Sequence, residues 1–367
     1  MTSNQFRICV LAGDGIGNEI MDPCMRILHK ACSKIGGISL AGEEAPAGAV
    51  CYQETGNALP KPTMDLARGA DAILLGAMGD PSVRYSDGTE IAPQVEMRFE
   101  LDLYAGVRPV KSVKGVAGPL ADPRGQQLDF VVIRESTEGL FSSFGKGKVY
   151  DDRAEDTQVI TRKGSERLFR FAFKLAEQRK AKGSEGIVTC VDKANIFKSF
   201  AFFREIFDEI AEEFTNLQAR RAYVDATALE MVRKPWVFDV MVTENMFGDI
   251  LSDLSAGLIG GMGMAPSADI GDEHAVFQPC HGSAPDIAGK GLANPAAMIL
   301  SGAMMLDWLG HRHSEKSAIK AGRLVEAAVN EAFASGLKSV EFGGNDGTVS
   351  IVSAIESALD KIDPETI

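Results

Sequence analysis

Apolar runs typical of buried strands alternate with segments of helical periodicity along most of the chain. Residues 6–11 form a short apolar run, and residues 18–35 place apolar side chains at helical spacing. A second apolar run covers residues 71–76, after a helix that opens at Lys61 with a proline in its first turn. Because strands that alternate with helices build parallel sheets, the pattern predicts an α/β fold with a largely parallel sheet.

The first predicted strand leads into a glycine-rich turn with the sequence AGDGIGNE. Its glycines, Gly13, Gly15 and Gly17, lack the final interval of the dinucleotide-binding fingerprint. Asp14 places a negative charge where a phosphate would bind. We therefore interpret the turn as a tight strand-to-helix connection, for which glycine is suited, and not as a Rossmann phosphate loop.

The charge and composition of the chain limit its partners. The 367 residues carry a formal net charge of −13, which disfavours nucleic acid and anionic membranes. No apolar run approaches the length of a membrane span, and the six cysteines lack metal-site spacing. Free thiols in a reducing compartment are expected, so we predict a cytoplasmic protein. An acidic substrate would need a local cluster of arginines.

Residues 244–263 form a predicted helix that carries two acids on one face, Asp249 and Asp253. With a third oxygen ligand, these carboxylates suit a hard divalent cation such as Mg²⁺ or Mn²⁺. Asp225 ends a predicted strand at residues 220–224 and is a candidate for that ligand. The alternative is a solvated acidic face opposite an apolar stripe, which would contain Phe247, Ile250, Leu251, Leu254 and Leu258.

Three arginines lie near predicted strand ends in this acidic chain. Arg98 and Arg108 flank the segment FELDLYAGV, and Arg134 ends the strand LDFVVIR. Each arginine alone is most simply a surface residue. Together they predict an anion site, because a guanidinium binds a carboxylate through two parallel hydrogen bonds. Lys193 also follows a predicted strand, where it is either solvated or catalytic.

These motifs follow one another in an order that covers nearly the whole chain. They are AGDGIGNE, the R-x9-R pair from Arg98, RESTEG from Arg134, VDKAN, YVDA, FGDILSDL and HGSAPDIAGKGLANP. The chain thereby resembles the β-decarboxylating dehydrogenases, which include isopropylmalate, isocitrate, homoisocitrate, tartrate and D-malate dehydrogenases. The resemblance implies their two-domain, non-Rossmann α/β fold. Residues 1–104 and 262–367 would form a discontinuous cofactor-binding domain, and residues 105–261 would form the substrate, metal and dimerisation domain.

The resemblance also implies a role for each charged residue. The carboxylates of a malate moiety would be bound by Arg98, Arg108 and Arg134. The divalent cation would be held by Asp225, Asp249 and Asp253. Lys193 would act as the general base, or relay, for the C2 hydroxyl group. Because Lys193 and Asp225 come from the partner subunit in this family, a homodimer with shared active sites is implied.

The cofactor would lie on the loop HGSAPDI and its surroundings. The residues that the resemblance implies for this site are Ile16, Gln278, His281, Gly282, Ser283, Ala284, Pro285, Asp286, Ile287 and Asn294. Asp286 would accept hydrogen bonds from the adenosine ribose and repel the additional phosphate of NADP. NADP-specific relatives have Lys and Tyr in place of Asp286 and Ile287, so the implied cofactor is NAD.

The chain departs from the family at three places. Phe141 stands where the family has the tyrosine that donates a proton after decarboxylation, and phenylalanine has no proton to give. Water, Tyr85 or Tyr150 would have to replace that donor. Gln278 stands where isopropylmalate enzymes have a glutamate near the cofactor.

The third departure is the specificity segment TEIAPQVEM before Arg98. Isopropylmalate enzymes have an acid and a pair of leucines here, and isocitrate enzymes have Ser and Asn. Gln94 suits a hydroxyl or carboxylate group of the substrate, whereas Ile91 and Val95 favour an apolar group. The two indications conflict, so the segment leaves the C3 substituent of the substrate open.

The resemblance predicts NAD- and metal-dependent oxidative decarboxylation of an (R)-2-hydroxy diacid of the malate type. Hydride would leave C2 for the nicotinamide, and the carboxylate β to the new ketone would leave as CO₂. A 3-isopropylmalate dehydrogenase-like activity is the first expectation, followed by tartrate or D-malate dehydrogenase, and then by isocitrate or homoisocitrate dehydrogenase. A non-catalytic regulatory homologue, which Phe141 permits, is the alternative from another class.

Overall fold

The computed structural model describes residues 4–367, which contain twelve strands and eleven α-helices. The strands are β1 (Asn4–Gly13), β2 (Ile38–Glu44), β3 (Ala72–Ala77), β4 (Ala105–Lys111), β5 (Asp129–Glu135), β6 (Lys148–Val149), β7 (Ala154–Glu155), β8 (Ile187–Asp192), β9 (Gln218–Tyr223), β10 (Val240–Thr243), β11 (Pro266–Ile270) and β12 (Ala275–Pro279). The helices are α1 (Gly17–Ile35), α2 (Ala49–Thr55), α3 (Lys61–Gly69), α4 (Pro93–Glu100), α5 (Arg162–Ala181), α6 (Lys198–Ala211), α7 (Val224–Arg233), α8 (Asn245–Leu258), α9 (Ala296–Arg312), α10 (Lys316–Ala334) and α11 (Thr348–Lys361).

The predicted α/β class is confirmed, and the predicted elements are present with shifts at their ends. The first predicted strand, residues 6–11, extends in both directions to form β1. The strand expected to lead into Asp225 ends at Tyr223, and Asp225 lies in the first turn of α7. The predicted helix at residues 244–263 ends at Leu258 as α8.

Ten strands form one sheet in the order β2-β1-β3-β12-β11-β4-β5-β10-β8-β9. The pairs at both ends of this order are parallel. The three pairs in the middle, β12–β11, β11–β4 and β4–β5, are antiparallel. Six of the nine strand pairs in this sheet are parallel, so the prediction of a largely parallel sheet is confirmed. The antiparallel centre was not predicted, and the short turn between β11 and β12 permits only an antiparallel pair there. Strands β6 and β7 form a separate antiparallel ribbon.

Helices cover the sheet and bury a continuous apolar core. Helices α1, α9, α10 and α11 pack against one another beside the first half of the sheet, and α5 packs with α6 beside the second half. Helix α9 is apolar around most of its circumference, which suits its buried position. Within residues 4–367, no helix combines the length and apolar composition needed to cross a bilayer.

The glycine-rich turn after β1 is a close structural junction, as predicted. Gly15 has a φ of +53°, and a Cβ atom there would lie 2.1 Å from the carbonyl oxygen of Ser283. The amide of Ile16 donates to that same oxygen at 2.8 Å. The carboxylate of Asp14 is buried and accepts backbone hydrogen bonds from Ala49, Val50 and Gly79. The turn thus holds the loop after β12 against the ends of β1 and β3.

Candidate active site

The register of the central antiparallel strands collects charged residues on one face of the sheet. Arg134 in β5 pairs with Gly106 in β4, which in turn pairs with Asp269 in β11. Directly paired residues share a face, and Arg108, two residues after Gly106, shares it too. A Cβ atom on Gly106 would lie 3.2 Å from a carboxylate oxygen of Asp269 and 3.3 Å from the Cβ of Arg134. The glycine therefore leaves the space into which these side chains fit.

Asp269 is the buried carboxylate at the centre of this face. Arg98 Nε donates to its Oδ2 at 3.1 Å, and Arg108 Nη2 lies 3.8 Å from its Oδ1. The amide of Gln278 donates to Oδ2 at 2.7 Å. Burial alone would raise the pKa of Asp269, but Arg98, Arg108 and Arg134 hold it below its usual value. The ionised carboxylate consequently fixes two of the three predicted arginines in position.

Asp269 was not identified as a site residue from the sequence. It is the only acid in the strand PSADI, and the strand is paired on both sides. A carboxylate in a buried strand needs a cationic partner, because burial of an unpaired charge is costly. That single acid in an otherwise uncharged strand is the signal by which it could have been identified.

Replacing Asp269 with asparagine is expected to destabilise the fold and to weaken the binding of dicarboxylates. Loss of one partner from a buried ion pair costs about 3–5 kcal/mol, because the other charge remains buried. Calorimetric unfolding and titration with a dicarboxylate measure the two effects. Asp151→Asn, which changes an exposed acid in the loop between β6 and β7, is the control and should unfold like the wild type. An Asp269→Asn protein with unchanged Tm and affinity would contradict the role given to Asp269.

Arg134 is held by α8 as well as by the sheet. Its Nε and Nη2 donate to Asn245 Oδ1 at 2.9 and 2.7 Å, and its Nη1 forms an ion pair with Asp249. Burial, and then the charge of Arg98, lower the pKa of Arg134 to about 10. A Cβ atom on Gly248 would lie 2.6 Å from the Arg134 side chain, so α8 approaches β5 through a glycine. Arg134 remains a cation at neutral pH in a fixed position.

The predicted pair of acids on α8 lies in a cleft together with the arginines. The carboxylate of Glu244 caps the helix by accepting hydrogen bonds from the backbone amides of Met246 and Phe247. Asp249 and Asp253 both line the cleft. Burial, and then the negative charge of Asp249, raise the pKa of Asp253. The two carboxylates are oxygen donors of the kind that Mg²⁺ and Mn²⁺ prefer, and a cation would relieve their repulsion.

The apolar stripe predicted for α8 is only partly correct. Leu251 and Leu258 are buried, but Ile250 is 61% exposed. The buried face consists mainly of small residues, which are Gly248, Ser252, Ser255 and Ala256. Large side chains do not fit there because α8 lies close to β5 at Gly248. Ile250 therefore belongs to an outward face of the helix.

Lys193 and Asp225 lie together, but outside the lining of this cleft. Lys193 Nζ donates to Asp225 Oδ1 at 2.7 Å, and this hydrogen bond lowers the pKa of Asp225. Across residues 4–367, no three His, Cys, Asp or Glu side chains are arranged to hold a metal ion. A single chain thus brings together Asp249 and Asp253, but not Asp225, of the predicted metal ligands.

The cleft has a volume of about 420 Å³ and lies between the sheet, α4 and α8. Of the residues singled out from the sequence, it is lined by Gln94, Val95, Arg98, Arg108, Arg134, Phe141, Asp249, Asp253, Gln278, His281 and Gly282. Ile91 is 1% exposed and packs in a small core cluster with Ala49 and Val83, so its predicted place in the substrate wall is wrong. Glu90, its neighbour in sequence, lines the cleft instead.

Three buried polar atoms of the cleft lining have no hydrogen-bond partner. They are Gln94 Oε1, Arg108 Nε and His281 Nε2. An unpaired buried polar atom costs about 1–3 kcal/mol, so three of them around one cleft indicate a site that a polar ligand completes. Burial lowers the pKa of His281, whose ring is therefore neutral at physiological pH. The cleft offers both donors and acceptors to such a ligand.

Phe141 lies at the cleft, and neither tyrosine considered as its replacement does. The ring of Phe141 lies 5.2 Å from the guanidinium of Arg134. The hydroxyl of Tyr85 donates to Glu96 at 3.0 Å, and burial raises its pKa to about 12. Tyr150 is 42% exposed beside the ribbon of β6 and β7. Within one chain, the lining of the cleft contains no tyrosine hydroxyl near Phe141.

The loop after β12 carries most of the residues predicted to bind the cofactor. Its start, His281 and Gly282, lines the cleft. Ser283 is anchored through its hydroxyl to the carbonyl of Gly79, and Ala284 has a φ of +40°. Asp286 is exposed on this loop. Ile16 and Asn294 are buried beside it, while Pro285 is exposed and Ile287 is half-buried.

Sequence comparison identifies relatives that match nearly the whole chain. The profile of the family described as isocitrate/isopropylmalate dehydrogenase matches residues 7–357. A 3-isopropylmalate/3-methylmalate dehydrogenase of Methanocaldococcus jannaschii is 43% identical, covering 95% of this chain and 97% of the relative. A probable tartrate dehydrogenase/decarboxylase of Bacillus subtilis is 36% identical, covering 99% of this chain and 100% of the relative.

Structure comparison agrees with the sequence comparison. The crystal structure of isocitrate dehydrogenase from Methylococcus capsulatus has a TM-score of 0.84 at 37% identity, covering 97% of this chain and 100% of that chain. A β-decarboxylating dehydrogenase from Thermococcus kodakarensis in its apo form has a TM-score of 0.78 at 38% identity, covering 97% and 96%. The predicted fold resemblance is thereby confirmed, and the chain belongs to the isocitrate/isopropylmalate dehydrogenase family of β-decarboxylating dehydrogenases.

Proposed function

We propose that the protein oxidises and decarboxylates an (R)-2-hydroxy diacid of the malate type, with NAD and a divalent metal ion. The observation that carries the proposal is the cleft in which buried arginines face two carboxylates of α8. Guanidinium groups bind the carboxylates of a diacid, and the acids of α8 bind a hard cation. The relatives named as 3-isopropylmalate, homoisocitrate and tartrate dehydrogenases support the reaction type.

Different residues of the chain would bind the substrate and transfer its proton. Arg98 and Arg108, held by Asp269, would orient one end of the diacid, and Arg134 would bind the other end. Lys193 of the partner subunit would accept or relay the proton of the C2 hydroxyl group. Mg²⁺ or Mn²⁺ on Asp249 and Asp253, with Asp225 of the partner subunit, would supply Lewis acidity at the C2 oxygen.

An apolar surface supports a homodimer with shared active sites. Leu229 and Val232 on α7 are 56% and 51% exposed, and Ile250 on α8 is 61% exposed. Ile196 and Phe197, which follow Lys193 in the sequence, are 63% and 55% exposed. Exposed apolar side chains that cluster near functional residues mark interaction surfaces. A two-fold dimer through this surface would carry Lys193 and Asp225 towards the α8 helix of the other subunit.

The proposal retains the two domains and the cytoplasmic location predicted from the sequence. Residues 1–104 and 262–367 contribute Arg98, Gln278 and His281 to the cleft, whereas residues 105–261 contribute Arg108 and Asp249. A cleft lined from both parts is typical of a substrate site between two domains. The cleft also adjoins the loop of Asp286, so a cofactor bound on that loop would lie next to the bound diacid.

The proposed reaction is tested by following NADH formation with Mn²⁺ and a panel of diacids. The panel contains 3-isopropylmalate, isocitrate, homoisocitrate, (R)-malate and the tartrates, each assayed with NAD and with NADP. We expect turnover with at least one diacid and a preference for NAD, because Asp286 repels the 2′-phosphate of NADP. Turnover with NADP that equals turnover with NAD would overturn the cofactor assignment.

A non-catalytic regulatory role is the second candidate, and Phe141 is the observation that favours it. Without a tyrosine at this position, the final proton must come from water or from another side chain. Binding of metal and diacid without any NADH formation would support this alternative. Retention of the arginines, Lys193 and the α8 acids favours the catalytic proposal.

Replacing Phe141 with tyrosine is expected to change the decarboxylation step more than substrate binding. A positioned general acid contributes on the order of 10²-fold or more to a proton-transfer step. Because the substitution keeps the aromatic ring and adds only a hydroxyl group, substrate binding should change little. Rates of CO₂ release and the ratio of decarboxylated to merely oxidised product measure the effect, with KM as the readout of binding. Phe144→Tyr, at an exposed ring close by, is the control. If Phe141→Tyr leaves both the product ratio and the rate of CO₂ release unchanged, residue 141 has no role in the decarboxylation step.

A further inference from the structure

The wall of the cleft next to Arg98 is formed by α4 and the segment before it. Gln94 lies one helical turn before Arg98, and Val95 lies three residues before it, so both side chains border the Arg98 guanidinium. Glu90 and these two residues line the cleft. If Arg98 binds a carboxylate of the diacid, the wall faces the substituent on the adjacent carbon, C3. The chemistry of this wall therefore indicates which C3 group is accepted.

The wall is unsuited to a third carboxylate. It contains no cation, and Glu90 adds a negative charge to it. The arginines below it are already assigned to the two carboxylates of the diacid in the proposed function, Arg98 and Arg108 to one end and Arg134 to the other. A tricarboxylate such as isocitrate would bring its additional charge against Glu90 without compensation.

The wall is also unsuited to a purely apolar substituent. Ile91, the largest apolar residue of the segment, packs away from the cleft among Ala49, Ala58 and Val83. On the far side of α4, Glu96 accepts a hydrogen bond from Tyr85 at 3.0 Å, which holds the helix in this rotation. Gln94 Oε1 is buried and has no hydrogen-bond partner. An alkyl group would close over this acceptor and leave it unpaired.

A hydroxyl group on C3 avoids the difficulties of both a carboxylate and an alkyl group. It is small and uncharged, and it is able to donate a hydrogen bond. We propose that the cleft selects 2,3-dihydroxy diacids, with the C3 hydroxyl group donating to Gln94 Oε1 and Glu90 excluding a third carboxylate. This inference rests on the proposed function and specifies its substrate class. Val95 then contacts the carbon skeleton, which all candidate diacids share.

The test compares kcat/KM for (R)-malate, the tartrates with R configuration at C2, 3-isopropylmalate and isocitrate, with NAD and Mn²⁺. We expect a tartrate to have the highest value in the wild type. Gln94→Leu should lower the tartrate-to-malate ratio of kcat/KM about 10- to 100-fold, because a site built around a hydrogen bond loses discrimination when the partner is removed. Gln53→Leu, at an exposed glutamine of α2, is the control and should keep the wild-type ratio.

The outcomes separate this inference from the proposed function. A higher kcat/KM for 3-isopropylmalate or isocitrate than for any tartrate would overturn the selection of a hydroxyl group while the oxidation itself stands. A Gln94→Leu protein with the wild-type tartrate-to-malate ratio would overturn the role of Gln94. If no diacid yields NADH although metal binds, the proposed function fails, and the selection fails with it.

Discussion

Asp253→Asn is expected to abolish metal-dependent turnover while the fold stays intact. The change removes one of the two carboxylates that this chain contributes to the proposed metal site on α8. Lewis-acid catalysis is worth several kcal/mol, so kcat/KM should fall on the order of 10³-fold or more. NADH formation over a range of Mn²⁺ concentrations measures the loss.

Stability should respond in the opposite direction to activity. Burial, and then the repulsion from Asp249, raise the pKa of Asp253, and a neutral asparagine removes both of these costs. The Tm of Asp253→Asn in the absence of metal should therefore equal or exceed that of the wild type. Asp65→Asn, at an exposed acid of α3, controls for the loss of a surface charge. An Asp253→Asn enzyme with wild-type activity and wild-type Mn²⁺ dependence would refute the metal site.

Much of the candidate site could be predicted from the sequence because its residues belong to contiguous motifs. Arg98, Arg108 and Arg134 line the same cleft as the acids of α8. Asp269 could not be placed in the same way, since its partners lie in α4, β4 and β12. Its role depends on the register of antiparallel strands, which the expectation of a largely parallel sheet did not contain.

Side-chain direction was the other feature that the sequence did not determine. The spacing of Ile250 on α8 indicated a buried stripe, but close packing at Gly248 turns a face of small residues inward and leaves Ile250 outside. The resemblance assigned Ile91 to the specificity segment that faces the substrate, but this side chain is buried in a core cluster. Apolar periodicity predicts that a face is buried but does not identify what covers it.

The exposed position of Ile250 bears on the central claim that two subunits share each active site. It lies on the same helix as Asp249 and Asp253, and this helix contacts α7, which carries exposed apolar residues of its own. Lys193 and Asp225 pair with each other away from the cleft of their own chain. A single subunit is therefore expected to lack the base and the third metal carboxylate of its own site.

The most direct test of this claim is complementation between two inactive variants. Lys193→Met and Asp253→Asn should each be inactive alone, but a co-expressed mixture should form heterodimers in which one of the two sites has only wild-type residues. If the subunits assort randomly in a two-fold dimer, the mixture should recover roughly a quarter of wild-type activity. A mixture that forms heterodimers and yet remains as inactive as either variant would contradict the shared site.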